Sequence, residues 1–219
     1  PQAYLLRETT KNWRNANTLT YENKKMFDGR DRLNVLVGHE VSSSMEESIE
    51  NVSVNFPTTM GFEDMKANMG AGTALPNQST ISAEENMLSF FGRVNYTMMD
   101  KYLLTVTVRA DGSSKFGDGN RWGVFPSAAL AWRINEESFM SSTSGWLDNL
   151  KLRLGFGKTG NSAVDPYQTK GTLSLIRYPF DNGGTPTIGY APNAMANSLL
   201  TWETTDQWNL GIDFGVLRG

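Results

Sequence analysis

Gly155-Phe156-Gly157-Lys158-Thr159-Gly160 has the glycines and the lysine of a phosphate-binding loop. Such a loop needs another glycine five residues before Gly157, and Leu152 stands there; Asp165-Pro166 then interrupts the place where a helix would start. The stretch reads instead as a glycine-rich strand end entering a loop. Asp111-Gly112 through Asp118-Gly119-Asn120 supplies oxygen donors, but not at EF-hand spacing, and its glycines suit a strand-to-strand turn. His39 is the only histidine, so no two-imidazole metal site and no Ser-His-Asp set can be built around it. The acidic pairs Glu46-Glu47, Glu84-Glu85 and Glu136-Glu137 fall in expected loops or turns. They read as solvated charge rather than as the paired carboxylates of a glycosidase. With no cysteine there is neither a disulfide framework nor a thiolate metal site. No catalytic constellation, cofactor or metal site emerges, and the expectation is that this chain is not an enzyme.

The elements that position these residues carry a stronger signal. The 219 residues are 39% hydrophobic but 11% aromatic, and the net charge of −3 leaves no nucleic-acid footprint. No run approaches the roughly 18 apolar residues of a spanning helix. A spanning β-strand needs only about 9–11 residues with every second one apolar, which average hydropathy does not register. That alternation recurs along the chain. Leu88, Phe90, Gly92, Val94, Tyr96 and Met98 oppose Ser89, Arg93, Asn95 and Thr97, with Phe91 the exception. Tyr102, Leu104, Val106, Val108 and Ala110 oppose Thr105, Thr107, Arg109 and Asp111. Similar strands run from Trp122 to Ile134, Leu150 to Gly157 and Gln207 to Phe214. Another covers Leu33 to Ser42, where Leu36 breaks the pattern, and a weaker one covers Asn12 to Tyr21.

The apolar face ends in aromatics (Tyr96, Tyr102, Trp122, Trp132, Trp208, Phe214), while the other face mixes Arg93, Arg109, Lys151, Arg153 and Asp213 with glycines. An apolar band flanked by aromatic girdles is what a lipid-facing barrel wall requires. Links also alternate between short (99–101, 135–149) and long (43–86, 111–121, 158–205), like the periplasmic turns and extracellular loops of such barrels. The fold class expected is all-β: an antiparallel meander of about seven transmembrane strands, with the even-numbered residues from Leu88 to Phe214 on one face. Parity then makes 158–205 a single extracellular loop, so the strand-like Gly171–Tyr178 stretch belongs to a hairpin within it. Within 43–86, only 61–69 suggests a helical turn or two. The first residues, Pro1-Gln2-Ala3-Tyr4, carry no signal-peptide pattern, and Gly215-Val216-Leu217-Arg218-Gly219 is turn-like. Both ends read as interior to a longer chain.

Several motifs then resemble one family. Arg109-Ala110-Asp111-Gly112-Ser113-Ser114-Lys115-Phe116, Asn120-Arg121-Trp122-Gly123-Val124-Phe125-Pro126-Ser127 and Ala131-Trp132-Arg133-Ile134 with Glu137-Ser138-Phe139 form its first part. Leu150-Lys151-Leu152-Arg153, Gly157-Lys158-Thr159-Gly160-Asn161, Leu200-Thr201-Trp202-Glu203-Thr204-Thr205, Gln207-Trp208-Asn209-Leu210-Gly211 and Asp213-Phe214 complete it. In this order they resemble the barrel of the SusC/RagA family of TonB-linked outer-membrane proteins, closely over 87–219 and only in general character before that. The resemblance implies that 1–219 is part of a barrel of roughly 22 strands enclosing a plug domain. Plug, TonB box, signal peptide and last strand would lie outside this chain. It further implies multi-pass placement in the outer membrane of a Gram-negative bacterium and import of glycan oligosaccharides or peptides. The partners implied are the TonB–ExbB–ExbD system acting through the plug, a SusD-like surface lipoprotein as lid, and outer-membrane lipid, with no nucleic acid. Loop residues Tyr167, Tyr190, Asn193 and Asn197 are the candidate ligand contacts.

Two other classes fit the alternation less well. A soluble β-sandwich carbohydrate-binding module would bury Trp122, Trp132 and Trp208 against a second sheet. A surface hydrolase would need an essential carboxylate. Accessibility of the apolar face separates barrel from sandwich.

Overall fold

A computed structural model describes residues 1–27, 29–178 and 187–217. The expected turn residues Arg218 and Gly219, and positions 179–186 of the expected 158–205 loop, lie outside the described residues. In chain order the strands are β1 (Gln2–Met26), β2 (Asp31–Val54), β3 (Thr73–Ala74), β4 (Gln78–Ile81), β5 (Glu85–Met98), β6 (Tyr102–Ser113), β7 (Trp122–Arg133), β8 (Leu147–Asn161), β9 (Thr172–Tyr178), β10 (Thr187–Ala194) and β11 (Glu203–Val216). One short helix, α1 (Phe62–Ala67), precedes β3, and single 3₁₀ turns lie at Met69–Ala71, Ile134–Glu136 and Ser138–Thr143. The chain divides into two compact units, Pro1–Arg14 with Ser42–Asn86, and Asn15–Val41 with Met87–Gly219.

The second unit holds the meander. Its strand order is β1-β2-β5-β6-β7-β8-β11; the short β3 and β4 pair with β2 off this path, and β9 and β10 pair with each other as a separate hairpin. From β5 to β11 the wall strands pair antiparallel and match even to even and odd to odd, as in Val94↔Val106, Val106↔Ala128, Leu130↔Leu154 and Leu154↔Leu210, until a bulge at Gly215/Val216. A slip of one residue would turn each apolar row to the other side, so this register keeps Leu104, Leu130 and Leu152 opposite in face to Arg109, Arg133 and Arg153. The expected hairpin is also present, with Leu175↔Tyr190 and a bulge at Pro192/Ala194. It stands apart from the wall sheet, as parity required.

The irregular positions have packing reasons. Phe91, which breaks the alternation of β5, lies beneath the Arg109 guanidinium at 5.5 Å. A Cβ on Gly38 would come within 2.6 Å of the Phe91 ring and 2.8 Å of the Asn17 carbonyl, so the glycine makes room for that ring. Pro126 sits inside a strand, where its missing N–H would break a ladder. Pairing of β7 with β8 starts only at Ser127↔Gly157, so Pro126 stands where that ladder has ended.

The first unit extends beyond the expected loop boundary. β2 continues to Val54, so the start of the 43–86 segment is strand rather than irregular chain. Ser42-Ser43-Ser44-Met45-Glu46-Glu47 has no strand-like alternation; the ladder with β4 begins at its last residue and runs from Glu47↔Ile81 to Glu50↔Gln78. Ser43 Oγ donates to Glu84 at 2.6 Å, the Glu46 N–H donates to Ser82 Oγ at 2.8 Å, and Lys11 pairs with Glu47 at 2.7 Å. Phe56 is buried against Gly72, whose hydrogen leaves 3.0 Å where a Cβ would meet the ring. β1 likewise runs far past the expected Asn12–Tyr21.

Candidate functional site

The meander presents three surfaces, each set by residue type and register. The first is the even face. Its middle rows are aliphatic, and both ends are aromatic. At the end bearing the long connections, Trp122 lies over Gly112 and stacks with Phe90 at 6.2 Å, and Phe156 meets Trp208 at 4.7 Å. At the end bearing the short turns, Tyr102 stacks on Trp132 at 6.3 Å. On β8 and β11 the apolar rows run from Leu150↔Phe214 to Phe156↔Trp208, and the next even row is the ion pair Lys158–Asp206 at 3.2 Å. Six residue steps of strand span about 20 Å, close to the apolar band of roughly 25 Å on a barrel wall. The face is uncovered: Leu130 is 49% exposed and Trp208 70%. In a sandwich these side chains would be the core.

Polar tips of the lower aromatic girdle are fixed by carboxylates at the short-turn end: Glu137 beyond β7 and Asp31 at the start of β2. Glu137 accepts hydrogen bonds from Tyr102 Oη (2.6 Å), Lys101 Nζ (3.0 Å) and Trp132 Nε1 (3.0 Å). Tyr96 Oη donates to Asp31, whose other oxygen accepts the Met99 N–H at 3.0 Å. Glu136-Glu137 read as solvated charge in the sequence, yet the Glu137 side chain is only 13% exposed. The signal that would have found it is the register placing Tyr102 beside Trp132. Hydrogen bonds from Tyr102 first, then Lys101 and Trp132, hold its carboxyl at about 2 instead of the ordinary 4.5. The folded value lies below the unfolded one, so this stabilisation is complete above pH 4.5 and is lost as pH falls through about 2. The thermal midpoint of the folded barrel should therefore decline across that acid window. Glu137→Gln should lower the midpoint at neutral pH and flatten the decline; an identical acid limb in the variant would show that this carboxylate is not coupled to folding.

The odd face is the second surface. Cross-strand polar pairs line it: Arg93 Nε donates to Thr107 at 3.2 Å, Thr105 Oγ1 to Asn95 at 2.9 Å, and Arg153 Nη2 to Asp213 at 2.7 Å. Arg109 donates to Asp111 at 2.8 Å and to Ser89 at 3.0 Å, and both acceptor residues are buried. Between these rows Thr105, Ala129, Gly155, Asn209 and Gly211 leave a concavity of about 570 Å³, bordered by Arg153. Small and polar side chains of this kind suit a wet or protein-filled lumen.

The third surface is the end with long connections. Trp202, on the segment leading into β11, packs against Phe116 at 5.4 Å and Phe125 at 5.2 Å, and its Nε1 donates to the Arg121 carbonyl at 2.9 Å. Phe116 is 2% exposed and Phe125 8%. Gly160 and Gly123 admit the Phe125 ring, since a Cβ on either would lie 2.1 Å or 2.4 Å from it. Asn120 Nδ2 donates to the Ser198 carbonyl at 3.4 Å, tying the connection before β7 to the one before β11.

The four expected ligand-contact residues lie on these connections but do not converge as one site. The Asn197 N–H donates to the Gln168 carbonyl at 3.1 Å, which brings Asn197 beside the turn of Tyr167. Asn197 Oδ1 accepts the Leu199 N–H at 3.1 Å and so braces its own turn, whereas Asn193 Nδ2 donates across the hairpin from β10 to Thr172 of β9 at 3.1 Å. Tyr167 and Tyr190 are exposed. The hairpin face made by Leu173, Leu175, Tyr190 and Pro192 is apolar, a feature hidden in the sequence until the β9–β10 register is known.

An exposed apolar band between aromatic girdles, backed by a polar face, defines the wall of an outer-membrane β-barrel. A family model described as TonB dependent receptor-like, beta-barrel matches residues 3–219, and the chain belongs to that family. The TonB-dependent receptor SusC of Bacteroides thetaiotaomicron is 42% identical over 150 residues, covering 66% of this chain and 15% of that protein. The TonB-dependent receptor P26 of Formosa agariphila is 34% identical over 214 residues, covering 96% of this chain and 20% of its own length. Among solved structures, the RagAB peptide transporter matches with a TM-score of 0.76 and 27% identity over 99% of this chain and 23% of that one. The chain thus spans about a fifth or less of the length of these curated relatives. They are receptors and transporters, not enzymes.

Proposed function

We propose that this chain is a stretch of barrel wall and surface loops in an outer-membrane importer of glycan oligosaccharides or peptides. Uptake is driven by the TonB–ExbB–ExbD system through a plug domain elsewhere in the protein, and a SusD-like lipoprotein closes the outer side. The observation that carries this reading is the segregation of an exposed apolar even face from a polar odd face over five paired strands. A sandwich module has no use for an uncovered apolar face. The likeness to a peptide transporter supports peptides, and the SusC-like motifs support glycans.

Segments 43–86 and 158–205 are the extracellular loops in this reading. Tyr167 and Tyr190 offer exposed aromatic faces to a sugar or peptide, with Asn193 and Asn197 beside them, and the apolar hairpin face of β9 and β10 suits the lid. Loss of one aromatic anchor from a binding surface costs about 1–2 kcal/mol, or roughly tenfold in affinity. Cells expressing the complete receptor with Tyr167→Ala and Tyr190→Ala should therefore take up a labelled oligosaccharide or peptide pool several-fold more slowly than wild type. Uptake that is unaffected by both changes would remove these loop residues from the binding surface. Uptake that persists without the proton-motive force would overturn the importer itself.

A further inference from the structure

The β9–β10 hairpin is a sheet of two strands, and among the described residues no third strand joins either edge. Its base is closed firmly. Gly171 has a φ of 73°, a Cβ there would lie 3.0 Å from the Ala194 carbonyl, and Asn193 Nδ2 donates to Thr172 at 3.1 Å. A lone two-stranded hairpin is marginal in water and becomes stable when a third strand joins it.

The register shows which edge is open. Pro192 stands opposite Leu173. With no N–H to give, proline fits a ladder only where its nitrogen points away from the partner strand. Residues directly opposite in an antiparallel pair are either both hydrogen-bonded or both not, and the two kinds alternate along the strand. Leu173 with Pro192 is therefore a pair without mutual hydrogen bonds, and so is Leu175 with Tyr190. The adjoining row agrees. Ile176 pairs with Gly189, and its carbonyl oxygen lies 3.7 Å from a Cβ built on that glycine, so this carbonyl faces β10. The N–H and C=O groups of Leu173, Leu175 and Arg177 consequently point out of the free edge of β9. The matching edge of β10 is blunted, because Pro192 offers no donor and a bulge follows it at Pro192/Ala194.

We propose that the free edge of β9 takes an extended peptide as a third strand, which makes peptides rather than glycans the substrate of this hairpin. Outward N–H and C=O groups recur along the edge about every 6.7 Å, the two-residue repeat of a strand, and another peptide backbone matches that repeat. A neutral glycan carries no N–H and C=O groups at that spacing. Recognition through the main chain tolerates many sequences, with preference set by alternate side chains. Those of the bound strand fall beside the exposed Leu173, Leu175 and Tyr190 on one face and beside Ser174 and Ile176 on the other. Apolar residues at every second position are therefore favoured.

This site rests on the importer reading, whose own test is uptake by cells, so binding is measured separately on the purified complete receptor in detergent. The probe is a fluorescein-labelled octapeptide of alternating threonine and alanine, followed by anisotropy. It is compared with a twin N-methylated at every amide, and maltooctaose serves as the competitor. The unmethylated peptide should bind, and its twin at least about tenfold more weakly, since it lacks several strand hydrogen bonds. Leu175→Pro removes one outward N–H and leaves the ladder to β10 in place. It should bind the peptide about fivefold more weakly than Leu175→Ala, which loses the same side chain but keeps the donor. In hydrogen exchange, the Leu173 and Leu175 amides should be fast in the free receptor and slow with peptide bound. Slow exchange at Ser174 and Ile176 in Leu175→Pro verifies that the hairpin survives; if it does not, the methylated twin decides. Equal binding of the two peptides, or no binding at millimolar peptide, would overturn the edge site. So would slow exchange at Leu173 and Leu175 in the free receptor, which means another segment already covers the edge. Displacement of the peptide by maltooctaose would give the hairpin to glycans instead. The importer stands through each of these results and falls only if uptake ignores the proton-motive force.

Discussion

Leu130→Arg should cost the complete receptor about 2–4 kcal/mol of folding stability in lipid, with Val106→Arg close to it. Leu130 sits midway along β7 between Leu104 and Leu154 and is half exposed on the apolar face. A guanidinium there has no protein partner and must reach for the interface or draw water into the bilayer. Its neighbour Ala129 pairs with Thr105 and Gly155 and opens onto the odd-face concavity. Arginine at Ala129 faces no lipid and has room to extend. Thr105 is a less clean comparison, because replacing it also removes its 2.9 Å hydrogen bond to Asn95, worth about 1 kcal/mol. Reversible urea unfolding in lipid vesicles measures each pair. Equal penalties at Leu130 and Ala129 would deny the wall a lipid side.

Phe125→Ala is expected to loosen the loop end by about 3 kcal/mol, at the low end for a buried phenylalanine truncated to alanine. The ring is a wedge shared by three pieces of chain: it packs on Trp202, lies against Gly123 and covers Gly160 where β8 has left β7. Removing it strands Trp202, whose only other ring partner among the described residues is Phe116. Gly160→Val should act in the same direction by overpacking, since its Cβ would overlap the Phe125 ring. Hydrogen exchange should show amides at 116–121 and 198–203 losing protection in both variants, while those at 102–108 and 152–156 keep theirs. Unchanged protection at 198–203 would mean that this aromatic cluster does not hold the connection before β11.

The wall was legible residue by residue because a strand's side-chain period is two and one face must be apolar throughout. The alternations from Leu88 to Phe214 therefore set both the faces and the register. Loop parity put the 171–178 stretch in a hairpin off the wall, while its partner β10 is visible only in the pairing itself. Family motifs, being local strings, were equally readable. Contacts closed over long sequence separations were not. Trp202 meets Phe125 and Phe116 only because the connections before β7 and β11 meet at one end of the sheet, which no local period encodes. Glu137 looked like surface charge because its three donors come from two strands and a turn whose adjacency depends on register. Strand β2 past Ser42 shows no alternation, and part of it, Glu47 to Glu50, finds its partner in β4, which no local pattern reveals. Sequence alone determined what the wall strands β5 to β8 and β11 face, because that is a local property of side-chain alternation. Tertiary structure decided what holds the strand ends and loops, because there polar and aromatic groups find their partners only across the fold.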